Sequence, residues 1–153
     1  MPETIEVQEL PSLVGREMEP SSWFEITQER VDRFADATND HQFIHVDQEE
    51  AAKTPFRGTI AHGFLTLSLT PYLTAEKAPR VEGVAMGINY GSDKVRFLQP
   101  VRVGSRIRAR QVMTEAVEKR PGQWMTKTTV TIEIENQEKP AMIAEFIAML
   151  IIK

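Results

Sequence analysis

The amino-acid sequence predicts an α+β fold in which one buried helix lies against an antiparallel sheet. Helical periodicity is confined to the first half of the chain, and from residue 81 onward apolar and polar residues alternate with a period of two, as in strands. Between these halves, residues 60–74 are apolar nearly all round, which is typical of a helix without a solvent face. A sheet wrapped around that helix closes the core economically, and the chain length fits a single domain over residues 1–153.

The N-terminal part of the chain is expected to be a covering segment with Trp23 and Phe24 as its anchors. Thr27 is a suitable N-cap for a helix over residues 28–38, whose apolar positions at i, i+3, i+4 and i+7 give it one buried face. Residues 39–46 are predicted to form a loop after this helix.

Two more helices are predicted before the sheet. Asp47 and Glu50 resemble a capping box that opens a short helix ending near Lys53. The buried helix then covers residues 60–74. Because proline lacks the N–H of the helical hydrogen bond, we expect a kink or an ending at Pro71.

Five strands are predicted in the second half of the chain, with turns rich in Pro, Gly and Asn between the last three. The fourth strand alternates between apolar and polar residues, so one of its faces should be wet. The last strand is apolar on both faces, which suits an interior position in the sheet. The strands cover residues 81–90, 94–98, 105–119, 123–136 and 141–153.

Composition excludes several classes of function. The absence of cysteine excludes disulfides, cysteine zinc sites and thiol nucleophiles, and it suits a reducing cytoplasm, where we expect the protein. The N-terminus lacks the apolar run of a secretory signal, and the longest apolar stretch is far shorter than the ~20 residues of a membrane span. A net charge of −4 argues against a nucleic-acid partner, since nucleic-acid-binding domains are usually basic.

The strongest functional signal lies in residues 39–47, which hold two of the three histidines and two carboxylates. Asp40 and His45 are a candidate proton-transfer pair, because a tight loop can bring them together and an unperturbed histidine pKa near 6.5 suits acid–base work. Two alternatives stay open: Asp40 caps a turn beside a partly buried His45, or His41, His45 and Asp47 bind a metal, although zinc motifs usually have other spacings. His41 itself is expected to face solvent or to pack locally.

The second signal is the sequence Thr-Ile-Ala-His-Gly-Phe-Leu at residues 59–65, where the buried helix begins. The first amide N–H groups of a helix have no intrahelical partner and lie at the positive end of its dipole, so they can polarise the carbonyl of a substrate. Gly63 would permit close approach, since it has no Cβ. In the alternative interpretation, His62 and Gly63 only begin the helix.

The third signal is a concentration of positive charge in residues 94–110 of an otherwise acidic chain. As strand residues, many of these side chains would line one rim, which suits the phosphates of a nucleotide. Lysine and arginine also commonly cover exposed strands and discourage edge-to-edge pairing, so a structural role stays open. The residues are Lys94, Arg96, Arg102, Arg106, Arg108 and Arg110.

Together these stretches resemble the MaoC-like dehydratases, the (R)-specific enoyl-CoA hydratase family of the hotdog fold. Residues 37–47 keep the family's Asp-to-His spacing, residues 61–64 are similar to its second signature, and residues 90–104 are similar to its third. The resemblance extends over about residues 20–152. Three ordered signatures are more specific than any one of them.

The first signature departs from the usual family pattern. Asn39 stands where glycine is usual, and Gln42-Phe43 replaces Asn-Pro, a variant that resembles the single-domain branch related to nodulation protein N. Because asparagine also reaches left-handed backbone angles, we expect the turn to survive.

The resemblance implies an enzyme, a hydro-lyase that interconverts a trans-2-enoyl and an (R)-3-hydroxyacyl thioester of coenzyme A or acyl carrier protein. Asp40 and His45 would hold one water and share the proton transfers, without a metal or an organic cofactor. A homodimer is implied as well, with no nucleic acid or membrane as partner. The implied substrate-binding residues are Gln42, His62, Gly63, Phe64, Lys94 and Arg96.

Two rival functions keep the same fold. One is a non-catalytic acyl-thioester-binding hotdog protein. The other is a hotdog thioesterase, in which water attacks the carbonyl carbon and not the β-carbon. Retention of both Asp40 and His45 favours the hydratase over the binding protein.

Overall fold

The computed structural model describes residues 2–153, and its helices precede its long strands, as the sequence predicts. The α+β class is therefore confirmed. A short 3-10 helix (Val7–Leu13) lies near the N-terminus. The other elements are β1 (Thr4–Ile5), β2 (Phe24–Glu25), α1 (Gln28–Thr38), α2 (Phe43–Val46), α3 (Gln48–Ala52), α4 (Gly63–Ala75), β3 (Arg80–Val81), β4 (Val84–Phe97), β5 (Arg106–Arg120), β6 (Gln123–Ile134) and β7 (Met142–Ile152).

Helices α1 and α3 begin at the predicted capping residues. The side chain of Thr27 accepts a hydrogen bond from the amide of Arg30 at 3.2 Å, and that of Asp47 accepts one from the amide of Glu50 at 3.0 Å. At the other end of α1, Asn39 has a left-handed φ of 57°. Asparagine thus adopts the conformation for which glycine is usual, and the expected turn is kept.

Helix α4 begins at Gly63, later than predicted, because the residues before it are extended. Ile60 forms an antiparallel bridge with Arg102, and the amide of Ala61 donates to the carbonyl of Val101 at 2.8 Å. These two contacts attach the start of the helix to the segment that follows β4. Contacts between residues so distant in sequence cannot be inferred from local periodicity.

The prediction that residues 39–46 form only a loop is wrong, because helix α2 lies inside this segment. Helix α4 does not end at Pro71 but continues to Ala75, close to the predicted end at residue 74. Leu69 and Leu73, on either side of the proline, are buried, and this packing holds the helix where proline removes one hydrogen bond. No helix within residues 2–153 is both long and apolar enough to cross a membrane.

The main sheet has the strand order β2-β5-β6-β7-β4, with its long strands antiparallel. β7 lies between β6 and β4, which confirms its predicted interior position. The predicted strands 81–90 and 94–98 are in fact one strand, β4. Two register shifts, one after Asn89 and one after Ser92, carry β4 through the polar residues that suggested a break.

The core lies between α4 and the inner face of the sheet. Leu65, Leu69 and Leu73 of α4 belong to the same buried cluster as Val130 and Ile132 of β6. This packing fixes the helix, and with it the position of the helix N-terminus, relative to the sheet.

A second buried cluster joins the N-terminal segment to the sheet. Leu10 and Leu13 of the 3-10 helix are buried in this cluster together with Trp124 of β6. Trp23 and Phe24, the anchors expected from the sequence, are only half-buried. The segment does cover the sheet, but leucine side chains anchor it.

Candidate active site

The turn after α1 brings Asp40 close to two histidines. The left-handed Asn39 ends the helix, and α2 then returns the chain so that His45 lies inside the protein. One polar side-chain atom from each of Asp40, His45 and His62 lies within 4.8 Å of the other two. Asp40 is exposed and both histidines are buried. The structure therefore brings together the two residues that spacing predicted as an acid–base pair and adds His62 to them.

Backbone contacts fix the ring of His45. Its Nδ1 lies 2.7 Å from the carbonyl oxygen of Ile60, and since a carbonyl only accepts, Nδ1 must carry the proton. The amide of Ile60 donates in turn to the carbonyl of Ile44 at 3.0 Å. In the neutral ring Nε2 is consequently the basic nitrogen.

The surroundings of His45 favour its neutral form. Burial lowers the pKa of His45 below its ordinary value of 6.5, and the neighbouring His62 lowers it further. The hydrogen bond to Ile60 and the negative charge of Asp40 oppose the shift, but burial is the larger effect. A histidine with a lowered pKa is unprotonated at neutral pH and can accept a proton there.

The ring of His62 lies directly against that of His45. Their centroids are 3.8 Å apart and their planes differ by 23°, which is a stacked arrangement. His62 Nε2 donates to the backbone carbonyl of Asp40 at 3.0 Å, and the ring of Phe34 from α1 lies 4.9 Å away. His62 Nδ1 is buried and has no hydrogen-bond partner within residues 2–153.

The N-terminus of α4 supplies free amides beside this group. Within residues 2–153, the amides of Gly63 and Phe64 donate to no other group, whereas the amides of Leu65 and Thr66 both donate to the carbonyl of His62. The free amides lie where the dipole of the helix is positive. They are suited to bind an oxygen that gains negative charge.

A cavity of about 270 Å³ contains one residue of each group in its lining. His45 and Gly63 line it, together with Phe97 from the end of β4. A Cβ on Gly63 would lie 3.2 Å from atoms of the Phe97 ring, so glycine lets this ring cover the start of the helix. The cavity thus extends from His45 to the start of α4, whereas Asp40, His62 and Phe64 are not among the residues that line it.

Sequence reasoning missed the contacts made by Gln28. Its Nε2 donates to the backbone carbonyl of His45 at 2.7 Å, and its Oε1 accepts from Thr59 Oγ1 at 2.6 Å. Gln28 therefore links α1 to α2 and to the segment before α4. Its position at the start of a helix, with no neighbouring motif, gives no signal of this role. Phe97 lies within the third signature, but nothing in the sequence places it against Gly63.

Four other predicted substrate-binding residues do not line the cavity. Gln42 and Phe64 are exposed, Gln42 just before α2 and Phe64 with its ring edge-on to Phe97 at 6.0 Å. Lys94 and Arg96 are exposed on β4, and neither lines the cavity of His45 and Gly63.

The basic stretch does not form one rim, because three of its arginines are neutralised. Arg106 pairs with Glu135, just after β6, and Arg108 pairs with Glu133 on β6. Arg110 pairs with Glu17 and Glu133. For these three residues the structure supports the alternative role, in which arginine side chains cover an exposed face of the sheet.

The grouping of Asp40, His45 and His62 also has the residue types of a metal site. A metal bound to both imidazoles would have to lie in both ring planes, about 2 Å from each nitrogen. The stacked rings lie one above the other, so their nitrogens do not converge on one point. The arrangement fits proton transfer better than metal binding. The alternative ligand set of His41, His45 and Asp47 does not converge on one point within residues 2–153, and His41 is instead bonded to Asp36 at 2.7 Å.

A larger cavity, of about 440 Å³ and mostly apolar, lies further along α4. Leu13 and Met18 of the N-terminal segment line it, with Val130 of β6 and Thr70 of α4. Thr66 lines the smaller cavity, and residues four apart lie on the same side of a helix. The two cavities therefore follow one another along a buried face of α4.

The chain is similar to proteins of one family over almost its whole length. The MaoC like domain family matches residues 9–137. The sequence is 49% identical to nodulation protein N of Rhizobium meliloti over 146 residues, which are 95% of this chain and 91% of that protein. It is 48% identical to 3-hydroxyacyl-thioester dehydratase Z of Mycobacterium tuberculosis over 141 residues, which are 92% and 93% of the two chains.

The fold is also similar to that of a solved hydratase. The (R)-hydratase from A. caviae involved in PHA biosynthesis superimposes with a TM-score of 0.72 at 26% sequence identity. The match covers 88% of this chain and 94% of that chain. The hotdog fold predicted from the sequence is thereby confirmed.

Proposed function

Since the chain belongs to the MaoC-like dehydratase family, we propose that Asp40 and His45 together carry out its reaction on a fatty acyl thioester. The family makes the chain a hydro-lyase of the dehydratase and hydratase type. In the hydration direction, water adds to a trans-2-enoyl thioester and the product is an (R)-3-hydroxyacyl thioester.

One observation carries the proposal. The carboxylate of Asp40 and the imidazole of His45 lie within 4.8 Å of each other, beside the free amides of Gly63 and Phe64. Groups at such a spacing can both hydrogen-bond to one water molecule. The site thus offers acceptors for the protons of water and donors for an oxygen of the substrate.

The chemistry assigns a task to each group. The thioester oxygen lies against the amides of Gly63 and Phe64, which withdraw electrons from the double bond. The oxygen of water forms a bond to C3 while Asp40 and His45 Nε2 take its proton, and the π electrons move towards the thioester oxygen. A proton then returns to C2. Because two coupled groups titrate as a unit, the roles of base and acid belong to the pair.

The cavities support an acyl substrate. The smaller cavity holds the reacting end of the molecule against His45 and Gly63. The larger one is apolar and continues along the same face of α4, in the direction that leads away from the free amides. An aliphatic chain gains hydrophobic free energy there by leaving water.

The direct test is incubation of the purified protein with crotonyl-CoA, followed through the loss of the enoyl absorbance. We expect hydration to (R)-3-hydroxybutyryl-CoA, identified by chiral separation of the product. Release of free coenzyme A, measured with a thiol reagent, would indicate the rival thioesterase. Saturable binding without any turnover of crotonyl-CoA or of longer enoyl thioesters would indicate the non-catalytic binding protein.

We also propose that the protein works as a homodimer paired through β4. This strand is long, lies at the edge of the sheet and exposes large apolar side chains, among them Met86, Ile88 and Tyr90. Phe64 and Tyr72 on α4 are also exposed, each at about two-thirds of its surface (67% and 66%). A long apolar edge strand invites pairing with another chain, and a second copy would cover both features.

Sedimentation velocity at micromolar concentration is expected to give the mass of a dimer. Ile88→Lys, which places a charge on the free edge, should shift the equilibrium towards monomer. Val117→Lys is the matched control, because Val117 is an exposed apolar residue on β5. A wild-type protein that sediments as a monomer would contradict the proposal.

A further inference from the structure

We infer that His62 is a positioning residue that connects the acid–base pair to the amides of α4. The inference rests on the proposed function, because it concerns how the same site is held together. His62 is the residue immediately before Gly63, its Nε2–H bonds the backbone of Asp40, and its ring stacks on His45. The side chain of His62 therefore contacts Asp40 and His45, and its backbone leads directly into the amides of α4.

The hydrogen bond to Asp40 sets the position of an otherwise exposed residue. Asp40 lies on the surface in the turn after α1, and its side chain makes one long contact, 3.4 Å, with the amide of Gln42. The donor that reaches its carbonyl from the protein interior is His62. The amide of Asp40 also donates to the carbonyl of Ala35 at 3.1 Å, which ties the residue to α1. Without the bond from His62, no hydrogen bond within residues 2–153 would tie the backbone of Asp40 to the part of the site that holds His45 and α4.

The stacked rings set the orientation of His45. Its Nδ1–H is held by Ile60, which still allows the ring to tilt about that hydrogen bond. The face of His62, itself backed by Phe34, closes one side of the ring at 3.8 Å. The stack thereby limits the tilt of the His45 ring, which has a nitrogen within 4.8 Å of the Asp40 carboxylate.

The unpartnered nitrogen of His62 argues against a purely structural role. Nδ1 of this ring is an acceptor buried without a donor, a situation that costs free energy and is uncommon in folded proteins. A phenylalanine ring would fill the same space without that cost. Histidine at this position therefore serves a purpose other than packing, and the Nε2–H bond to Asp40 is the contact that phenylalanine cannot make.

His62 also affects the pKa of His45. The titratable groups that act on it are His62, which lowers its pKa, and Asp40, which raises it, while α1 contributes the apolar ring of Phe34. Removing the imidazole at position 62 takes away a contribution that lowers the pKa. The pKa of His45 should then rise towards its ordinary value, so that the proton-accepting form is lost at a higher pH.

The test is an NMR titration of the histidine rings combined with kinetics and thermal melting, in the wild type, His62→Phe and His62→Gln. In the wild type we expect His45 with its proton on Nδ1 and His62 with its proton on Nε2. In His62→Phe the pKa of His45 should rise and the melting midpoint should stay equal or increase. Turnover should still fall, by about tenfold, which is less than the 10²-fold that a 1 Å misplacement can cost. KM should stay within about threefold, since the variant misplaces the acid–base pair and leaves the amides of α4 in place.

His62→Gln keeps an amide donor for Asp40 but loses the ring, so it should retain more turnover than His62→Phe and still show a raised pKa of His45. His41→Phe is the matched control, because His41 is an exposed histidine that precedes His45 by four residues. This substitution should change neither the turnover nor the pKa of His45. The inference is overturned if His62→Phe keeps wild-type turnover, or if its turnover and melting midpoint fall together. Should the wild type prove inactive, the NMR arm still decides: an unchanged pKa of His45 in His62→Phe overturns the coupling, and a raised one supports it.

Discussion

Asp40→Asn and His45→Gln are each expected to lower the rate of hydration by about 10²-fold or more, the usual contribution of a general acid–base group. Asparagine keeps the shape of the aspartate but cannot take a proton from water. Glutamine can still donate to the carbonyl of Ile60 but offers no basic nitrogen in place of Nε2. Turnover should therefore fall with the fold intact, which circular dichroism and thermal melting would establish on the same preparations.

A matched control exists four residues earlier in the chain. Asp36 and His41 have the same spacing as Asp40 and His45 and are bonded at 2.7 Å, but both are exposed to solvent. Asp36→Asn and His41→Gln should therefore leave turnover unchanged.

The double variant Asp40→Asn with His45→Gln gives a second check. Because a coupled pair acts as a unit, the double variant should be little worse than the poorer single variant. Near-normal turnover in either single variant would remove the assignment of Asp40 and His45.

The fold could be predicted because its signals are local. Thr27 and Asp47 cap helices in the way their side-chain chemistry requires, and the change of period near residue 81 separates helices from strands. Local signals failed where a distant segment decides the structure. Ile60 is extended because it pairs with Arg102, and such pairing has no trace in the periodicity of either segment.

The candidate site also combines features that local sequence predicts with features that distant segments decide. Asp40 and His45 are predicted to lie together because a tight loop can close over five residues, and the turn at Asn39 does bring them together. Gln28 and Ile60, which hold His45 through its backbone and its ring, come from segments with no chemical motif. Residues that carry out proton transfer belong to a few amino-acid types, so a sequence can indicate them. Residues that position them need only a hydrogen-bond donor or acceptor in the right place, and almost any residue can supply one.

Gly63→Ala is expected to reduce turnover by about 10²-fold, the lower end of what one oxyanion donor contributes, and to affect KM less. The amides of Gly63 and Phe64 matter most as negative charge develops on the thioester oxygen. A methyl group on residue 63 would point into the cavity and meet the ring of Phe97 at 3.2 Å, so either the ring or the substrate must move. Steady-state kinetics with crotonyl-CoA and thermal melting should be measured on one preparation.

The contact with Phe97 makes the cause of the loss testable. Phe97 lies at the end of β4 and is 46% exposed, so its ring has room to move and Gly63→Ala should melt close to the wild type. In the double variant Gly63→Ala with Phe97→Ala, the methyl group no longer meets the ring. If the methyl group acts by keeping the thioester oxygen from the amides, the double variant stays as slow as its poorer parent.

If the defect arises only from the displaced ring, the double variant recovers to the rate of Phe97→Ala alone. A Gly63→Ala protein with wild-type melting and wild-type turnover would exclude the amides of α4 as the oxyanion site. That result would leave Asp40 and His45 unaffected, because neither residue depends on the amide of Gly63 for its contacts. A parallel loss of melting midpoint and turnover would instead mean that Gly63 serves only to begin the helix.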